Sequence, residues 1–259
     1  MQARPLEECA ALVVGGTGGI GHACARALLA AGVPRMVLAG RSAERGEAAR
    51  AALADAFPHA DVAFLQCDAR DALAAQAMAD AAAERMGGID VLVSAGGGEP
   101  TPRLLHLTPI EEMMPILTSL VAGITHPARA VLPHMTARGG GSVICFASDA
   151  AKVATPGETV VGAGMAAIVM FCRGMAYEAK RNGIRVNCLT PSVVRGTGLY
   201  DHLMADPFCN RIFGKAETLA SLGVVEPEDL ASMVVYLAGP ASARMTGQTI
   251  SINGGISAA

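Results

Sequence analysis

Short apolar segments alternate with longer helical segments along almost the whole chain. The apolar segments are Ala10–Val14, Met36–Ala39, Val62–Gln66, Ile89–Ser94, Val143–Ala147, Ile184–Leu189 and Thr249–Ile252. The segments with a helical pattern are Gly19–Ala31, Ala43–Ala56, Asp71–Met86, Pro109–Arg138, Gly157–Asn182 and Pro227–Ala238. Apolar strands that alternate strictly with helices are typical of a parallel sheet that is covered on both sides. The sequence therefore predicts an α/β protein with a doubly wound, seven-stranded parallel sheet and helices on both faces.

Composition is consistent with one domain of this kind. The chain has 259 residues, of which 52% are hydrophobic and 17% are charged. Length alone would also allow two domains, but we find no linker, so we expect one domain over residues 1–259. The net charge of −3 gives no general attraction to nucleic acid or to an anionic membrane.

The cysteines predict a reducing compartment. All seven are scattered, with no CxxC pair and no histidine at metal-ligand spacing. We therefore expect small core thiols and no metal site.

Glu7 and Glu8 lie where a signal peptide would be apolar, and no uninterrupted apolar run reaches membrane-spanning length. These features predict a cytoplasmic protein that does not enter a membrane.

One long segment, residues 190–225, shows neither the strand nor the helix pattern. It precedes the last helical segment. Irregular segments of this length inside a compact domain are usually functional lids or are disordered. We therefore predict a lid-like irregular segment here.

A glycine-rich loop, Gly15-Gly16-Thr17-Gly18-Gly19-Ile20-Gly21, joins the first strand to the first helix. Glycines let the backbone turn sharply and approach a pyrophosphate, and the helix N-terminus supplies N–H groups and a positive dipole. Both GxGxxG and GxxxGxG spacings are present, in the strand-to-helix context that a dinucleotide site requires. The loop predicts a Rossmann-type site, with a set of candidate cofactor-binding residues: Gly15, Thr17, Gly18, Gly19, Ile20 and Gly21. Alternatively, these glycines only permit a tight turn and close helix packing.

The end of the second strand lacks the acid that would bind a ribose 2′-hydroxyl. Arg41 follows this strand instead, and a guanidinium suits a 2′-phosphate, which favours NADP. The equally open alternative is a solvated arginine at a helix start, in a chain that no longer binds this ribose.

Several longer stretches resemble the short-chain dehydrogenase/reductase family. Besides the glycine loop they are Asp90–Gly97, Ala130–Met135, Asn182–Pro191, Glu226–Ala231, Thr246–Thr249 and Gly254–Gly255. The resemblance covers almost the whole chain and implies the family's fold and an NAD(P) cofactor. It also implies that Asp68 contacts the adenine. Ala95 and Gly96 are implied cofactor-site residues, in the stretch Ser94-Ala95-Gly96-Gly97 that replaces the family's Asn-Asn-Ala-Gly.

The same resemblance implies a catalytic tetrad of Asn, Ser, Tyr and Lys, of which this chain keeps only the serine. Ser148 holds the serine position, whereas Leu120, Val161 and Met165 hold the other three. The family's acid/base is a phenol, whose free pKa is about 10. The lysine must lower that pKa by roughly 3 units, about 4 kcal/mol of differential stabilisation. Valine and methionine can neither donate nor accept the proton.

Other side chains near the expected pocket are candidates for the missing acid/base. They are Asp149, Lys152, Glu158, His106 and His202. Each is more simply interpreted as a solvated loop charge or a lid residue. Ser148 can donate a hydrogen bond to a carbonyl but cannot complete proton transfer without a base. Its other interpretation is a strand-end serine that caps the local backbone.

The stretches Ser148–Val153 and Gly157–Val160 also resemble dehydrogenases of hydroxyacyl-CoA esters in anaerobic aromatic degradation, including that of toluene. That resemblance implies a pseudoenzyme subunit, paired in a heterotetramer with a homologous active dehydrogenase. The partner would oxidise the acyl-CoA substrate with NAD, while NAD(P) binding in this chain would be weak or vestigial. Two alternatives are an active, atypical NAD(P)-dependent oxidoreductase with a non-standard acid/base, and a redox-inactive dinucleotide-binding sensor.

Overall fold

The computed structural model describes residues 3–98 and 100–259. Within these residues, seven parallel strands form one sheet in the order β3-β2-β1-β4-β5-β6-β7. The strands are β1 (Ala10–Val14), β2 (Arg35–Gly40), β3 (Asp61–Gln66), β4 (Val91–Ser94), β5 (Gly141–Phe146), β6 (Ile184–Pro191) and β7 (Thr249–Ile252). The predicted fold class is therefore confirmed.

Helices cover both faces of this sheet. Those of the described residues are α1 (Gly19–Ala30), α2 (Ala43–Ala56), α3 (Ala72–Met86), α4 (Ile110–Ala130), α5 (Leu132–Ala137), α6 (Thr159–Ala179), α7 (Gly198–Ala205), α8 (Pro207–Leu219) and α9 (Pro227–Ala238). Successive strand residues point to opposite faces, and both faces are buried. On β1, Leu12 and Val14 join the core with α3, α4 and α6, whereas Ala11 and Val13 join the core with α1 and α9. Burial on two faces explains why the strands are apolar without alternation.

The prediction of one helix over Pro109–Arg138 is wrong, because two helices occupy this range. The first, α4, ends at Ala130, and α5 begins at Leu132. Pro133 lies in the first turn of α5. A proline has no N–H to bond the carbonyl four residues earlier, and its ring clashes with that carbonyl. The same missing N–H costs nothing in the first turn of a new helix.

The prediction that residues 190–225 are irregular is also wrong, since α7 and α8 lie within this range. The Thr197 hydroxyl caps α7 by accepting from the N–H of Tyr200, and the Asp206 carboxylate caps α8 by accepting from the N–H of Cys209. Pro207 fills the first position of α8. An Asp-Pro pair at a helix start is a sequence signal, so this helix was predictable.

Residues 159–182 are long and apolar enough to cross a membrane by length and composition, and a third of the apolar window, 33%, is buried. The sequence analysis predicted no such segment. Within the structure this is α6 with a short 3-10 turn, and Ile168, Val169 and Cys172 pack into the core beneath the sheet.

All seven cysteines are buried free thiols, which confirms their predicted role as small core residues.

A buried carboxylate joins the amino ends of the central strands. Asp90 is 3% exposed, and it accepts two hydrogen bonds of 3.0 Å from Arg138 and one of 2.9 Å from the N–H of Ala10. Arg4 approaches the same carboxylate to 3.1 Å. These contacts hold the segment before β4 against β1 and the end of α5.

We predict that Asp90→Ala lowers the free energy of unfolding by about 3 kcal/mol, because it leaves buried donors without an acceptor. Urea unfolding of the purified chain measures this loss. Asp61→Ala is the matched control, since the Asp61–Arg85 ion pair is solvent-exposed and is worth less than about 1 kcal/mol. Equal losses in the two variants would contradict a clamping role for Asp90.

Candidate functional site

A cleft of about 740 Å³ opens at the carboxyl ends of the strands. In this sheet, β2 and β3 lie on one side of β1, and β4 to β7 lie on the other. The connections therefore run in opposite directions from β1 and β4, which creates a crevice beyond the ends of these two strands. Ligands of doubly wound proteins bind at such a switch point.

The glycine loop forms the floor of this cleft. Gly15 has a φ of +81°, and a Cβ on it would lie 2.8 Å from the carbonyl oxygen of Ala95. A Cβ on Gly21 would lie 2.2 Å from the carbonyl oxygen of Gly15. Both positions therefore require glycine for close packing. Gly18 differs, because a Cβ there would meet no atom within 4 Å. Open space at the start of α1 is where a ligand phosphate fits against helix N–H groups.

Every predicted cofactor-binding residue borders this one cleft. The set is Gly15, Thr17, Gly18, Gly19, Ile20, Gly21, Arg41, Asp68, Ala95 and Gly96. They come from the loop after β1 and from the ends of β2, β3 and β4. The arrangement has room for a nucleotide, and it places the loop amides in the centre and Arg41 at one end.

Two arginines that the sequence analysis did not single out also border the Arg41 end. Arg45 lies in the first turn of α2, and Arg70 follows β3. Arg70 forms an ion pair with Asp68, with 2.5 Å between the nearest nitrogen and oxygen. The hydrogen bonds from Arg70 lower the pKa of Asp68 to about 2. Asp68 is therefore a carboxylate throughout the physiological pH range, and this end of the cleft carries three cations and one anion.

The opposite end of the cleft has an apolar wall. Leu120, Val161 and Met165 all border the cleft, as does Ser148. Leu120 is 2% exposed, and Met165 packs against the core formed by α4 and α6. The positions that the resemblance assigns to an amide, a phenol and an ammonium therefore hold three apolar side chains that border one cleft. None of them can carry a proton.

Ser148 caps the backbone that follows β5. Its hydroxyl oxygen accepts from the N–H of Ala150 at 3.2 Å, at the start of the 3-10 turn Asp149–Ala151. The structure therefore shows Ser148 as a backbone cap, which is one of its two interpretations from the sequence. The hydroxyl proton remains available to a ligand carbonyl, since the cap uses only the acceptor.

Asp149 and Lys152 hold the segment that follows β7. The buried Asp149 carboxylate accepts from the Ser257 hydroxyl at 2.6 Å and from the Asn253 amide at 2.8 Å. Lys152 lies 3.3 Å from Asp149 and donates to the carbonyl of Ala259 at 2.7 Å. Both groups make structural contacts, and Asp149 also borders the cleft.

Among the remaining acid/base candidates, only Glu158 borders the cleft. His202 lies on α7, where its Nε2 is 3.2 Å from the Thr101 hydroxyl, and His106 is exposed in a 3-10 turn. Glu158 precedes Val161 by almost one helical turn. Burial, and to a smaller extent the nearby charge of Asp149, raises the pKa of Glu158 above its usual value.

The helices α7 and α8 cover the apolar end. They contribute mostly apolar side chains to the cleft: Leu199, Leu203, Met204, Ile212, Phe213 and Leu219. Tyr200 donates to Glu217 at 3.0 Å, and Arg195 donates to the same carboxylate oxygen at 3.1 Å. These bonds tie α7 to α8, so the two helices form one cover over the cleft.

Comparisons with known proteins agree with this geometry. The family described as enoyl-(acyl carrier protein) reductase matches residues 15–257. The chain is 34% identical to 2,3-dihydroxy-2,3-dihydro-p-cumate dehydrogenase of Pseudomonas putida over 257 residues, which are 98% of this chain and 96% of that relative. It is 32% identical to 7alpha-hydroxysteroid dehydrogenase of Clostridium sardiniense over 253 residues, which are 96% and 94% of the two chains.

A solved structure is similar over the same length. The NADPH-bound short-chain oxidoreductase of Pseudomonas aeruginosa PAO1, described as containing an atypical catalytic center, superposes with a TM-score of 0.87. It is 30% identical, and the match covers 97% of each chain. The fold, the glycine loop and these relatives together show that the chain belongs to the short-chain dehydrogenase/reductase family of oxidoreductases.

Proposed function

We propose that this chain is the non-catalytic subunit of a hetero-oligomeric short-chain dehydrogenase in the cytoplasm. One observation carries the proposal: Leu120, Val161 and Met165 form an apolar wall in a cleft whose glycine loop is intact. The active partner is a homologous chain with a complete Asn-Ser-Tyr-Lys set. It oxidises a hydroxyacyl-CoA ester to the ketoacyl-CoA with NAD.

The substrate class rests on local sequence resemblance. Residues 148–153 and 157–160 resemble the region that precedes the Tyr-x-x-x-Lys motif in hydroxyacyl-CoA dehydrogenases of anaerobic aromatic degradation. In particular, this chain resembles the degenerate subunit of 2-[hydroxy(phenyl)methyl]succinyl-CoA dehydrogenase, an enzyme of anaerobic toluene degradation. That enzyme pairs an active and an inactive chain, which supports an assembly of one active and one inactive kind of subunit here.

Exposed apolar side chains supply a surface for the partner. On α4 they include Ile110 and Met114, and on α6 they include Met170 and Tyr177. Small residues precede Met170 on α6, where Ala163, Ala166 and Ala167 are all exposed. Small residues let a second helix approach closely, and exposed apolar side chains are a common feature of protein interfaces.

We propose that NAD(P) binding in this chain is weak or vestigial, with NADP favoured over NAD. The loop glycines and Arg41 fit the phosphates. Met165, however, replaces the lysine that would hold the nicotinamide ribose, and an apolar side chain offers that ribose no hydrogen bond.

We predict that the purified chain has no alcohol dehydrogenase activity with NAD or NADP. Turnover of about 1 s⁻¹ or more, the usual lower range for enzymes, would contradict the proposal. Val161→Tyr with Met165→Lys is expected to gain only trace activity, because Leu120 still interrupts the proton path. Val161→Phe with Met165→Lys is the matched control, which lacks only the phenol hydroxyl and should gain none. The measurement is absorbance at 340 nm with a panel of secondary alcohols.

We further predict that the chain co-purifies with its active homologue as a tetramer of two chains of each kind. Size-exclusion chromatography with light scattering on the co-expressed pair measures the composition. Met170→Glu places a charge on the exposed face of α6 and should dissociate the complex. Leu73→Glu is the control, because Leu73 is even more exposed than Met170 but lies on α3. A stable homotetramer of this chain that does not bind the co-expressed homologue would overturn the proposal.

A second candidate is an active oxidoreductase in which Glu158 replaces the tyrosine as the acid/base. The specific observation is that Glu158 borders the same cleft as Ser148 and Val161, and that burial raises its pKa. A raised carboxyl pKa is a common feature of catalytic acids. The similar NADPH-bound oxidoreductase with an atypical catalytic center makes such a replacement chemically plausible within the family.

This candidate predicts that any activity of the isolated chain falls about 100-fold or more in Glu158→Gln, the usual effect of losing an acid/base. Glu158→Asp, which keeps the carboxyl group, is the matched control and should retain part of the rate. The rate should also change with pH at a pKa above that of an ordinary glutamate. Equal rates in wild type and Glu158→Gln would exclude Glu158 as the acid/base.

A further inference from the structure

A dinucleotide fits this cleft in one direction. Arg41 and Arg45 border the end of the cleft beside β2, and the open space at Gly18 lies at the start of α1. A pyrophosphate binds at such a helix N-terminus, and a ribose phosphate suits the arginines. The nicotinamide half must then lie on the other side of β1, beyond the ends of β4 and β5. Ser148 follows β5 and borders the cleft there.

Two carboxylates border the cleft on this nicotinamide side. They belong to Asp149, which follows Ser148 directly, and to Glu158, which precedes α6. Asp149 is 5% exposed, and its Oδ1 accepts no hydrogen bond from the described residues, although Lys152 lies 3.3 Å away. The negative charge of Asp149 acts on Glu158, so the two carboxylates lie close to each other. Lys152 offsets the charge of Asp149, whereas Glu158 forms no ion pair with a described residue.

Positive charge is scarce on the same side. Met165 is uncharged at the position to which the family resemblance assigns an ammonium. Lys215 of α8 also borders the cleft, but it is exposed, so solvent and salt screen its charge. Burial raises the pKa of Glu158, because a carboxylate loses hydration when it is removed from water. A positive charge on a ligand beside Glu158 would offset this loss.

We propose that the cleft distinguishes the two oxidation states of a dinucleotide and binds the oxidised form more tightly. The nicotinamide ring of NADP⁺ carries a positive charge, whereas the ring of NADPH is neutral. Glu158 and Asp149 attract the charged ring, and Met165 does not repel it as an ammonium would. The two forms differ only at this ring, so the arginines and the glycine loop contribute equally to both. The inference rests on the proposed dinucleotide binding and specifies which form of the cofactor occupies the site.

The test is calorimetric titration of the full chain with NADP⁺ and with NADPH, at one pH and one salt concentration. We expect NADP⁺ to bind at least about 10-fold more tightly, the scale of one unit charge acting over several ångströms in a protein. Glu158→Gln removes the charge and keeps the shape of the side chain, so this ratio should fall to about 3-fold or less. Glu178→Gln is the matched control, because Glu178 is exposed at the far end of α6, and its ratio should equal that of the wild type.

A second pair of variants tests the same effect without changing Glu158. Met165→Lys adds a positive charge near the ring and should also lower the ratio. Met165→Gln is polar but neutral, and it should keep the ratio of the wild type. A general loss of folded protein would weaken the binding of both forms equally, so the ratio separates the charge effect from a loss of stability.

Three outcomes would overturn the proposal. They are equal or tighter binding of NADPH by the wild type, a ratio that is unchanged in Glu158→Gln or in Met165→Lys, and no binding of either form at millimolar concentration. The first two leave dinucleotide binding itself standing, and only the third removes it as well. The tetramer measurement on the co-expressed pair is independent of all three, so the subunit proposal is tested separately.

Discussion

The close approach of the glycine loop to the end of β4 positions the rest of the cleft. Gly15 contacts the backbone of Ala95 so tightly that a Cβ on the glycine would lie 2.8 Å from the carbonyl oxygen. The next residues of that strand end touch α4, where a Cβ on Gly123 would lie 2.7 Å from the carbonyl oxygen of Gly96. Leu120 lies one turn earlier on the same helix. Backbone packing alone thus connects the phosphate end of the cleft to its apolar end.

The same packing explains how the fold can persist with apolar side chains at the positions that the resemblance assigns to acid/base groups. Leu120 fills the space beside α6, where a Cβ on Gly164 would lie 3.1 Å from the leucine side chain. Val161 and Met165 need no hydrogen-bond partners, whereas a buried phenol and ammonium would need them. Apolar replacements therefore remove a desolvation cost and keep α4 and α6 in contact. The helices that carry the exposed Met114 and Met170, the surface that we propose for a partner, remain in place.

The sequence was most informative where the pattern is local. Strand positions and the glycine loop follow from runs of apolar residues and from glycine spacing, so their placement was predictable. The helices of the cover were missed because α7 has only eight residues and the two helices together have one buried residue, Cys209, although Asp206-Pro207 marks a start. Contacts between segments that are far apart in the sequence could not be predicted from local patterns. Asp149 looked like a solvated loop charge, but its partners Asn253 and Ser257 follow more than a hundred residues later.

The central claim is that the acid/base chemistry of the assembly belongs to the partner and not to this chain. The most direct measurement substitutes phenylalanine for the active-site tyrosine of the partner in the co-purified complex, with this chain unchanged. NADH formation from a hydroxyacyl-CoA is then followed in complexes of verified composition. We predict that turnover falls to background, because Val161 and Met165 cannot supply a second proton relay. Residual turnover near half that of the unaltered complex would contradict the claim, since this chain would then hold a working acid/base.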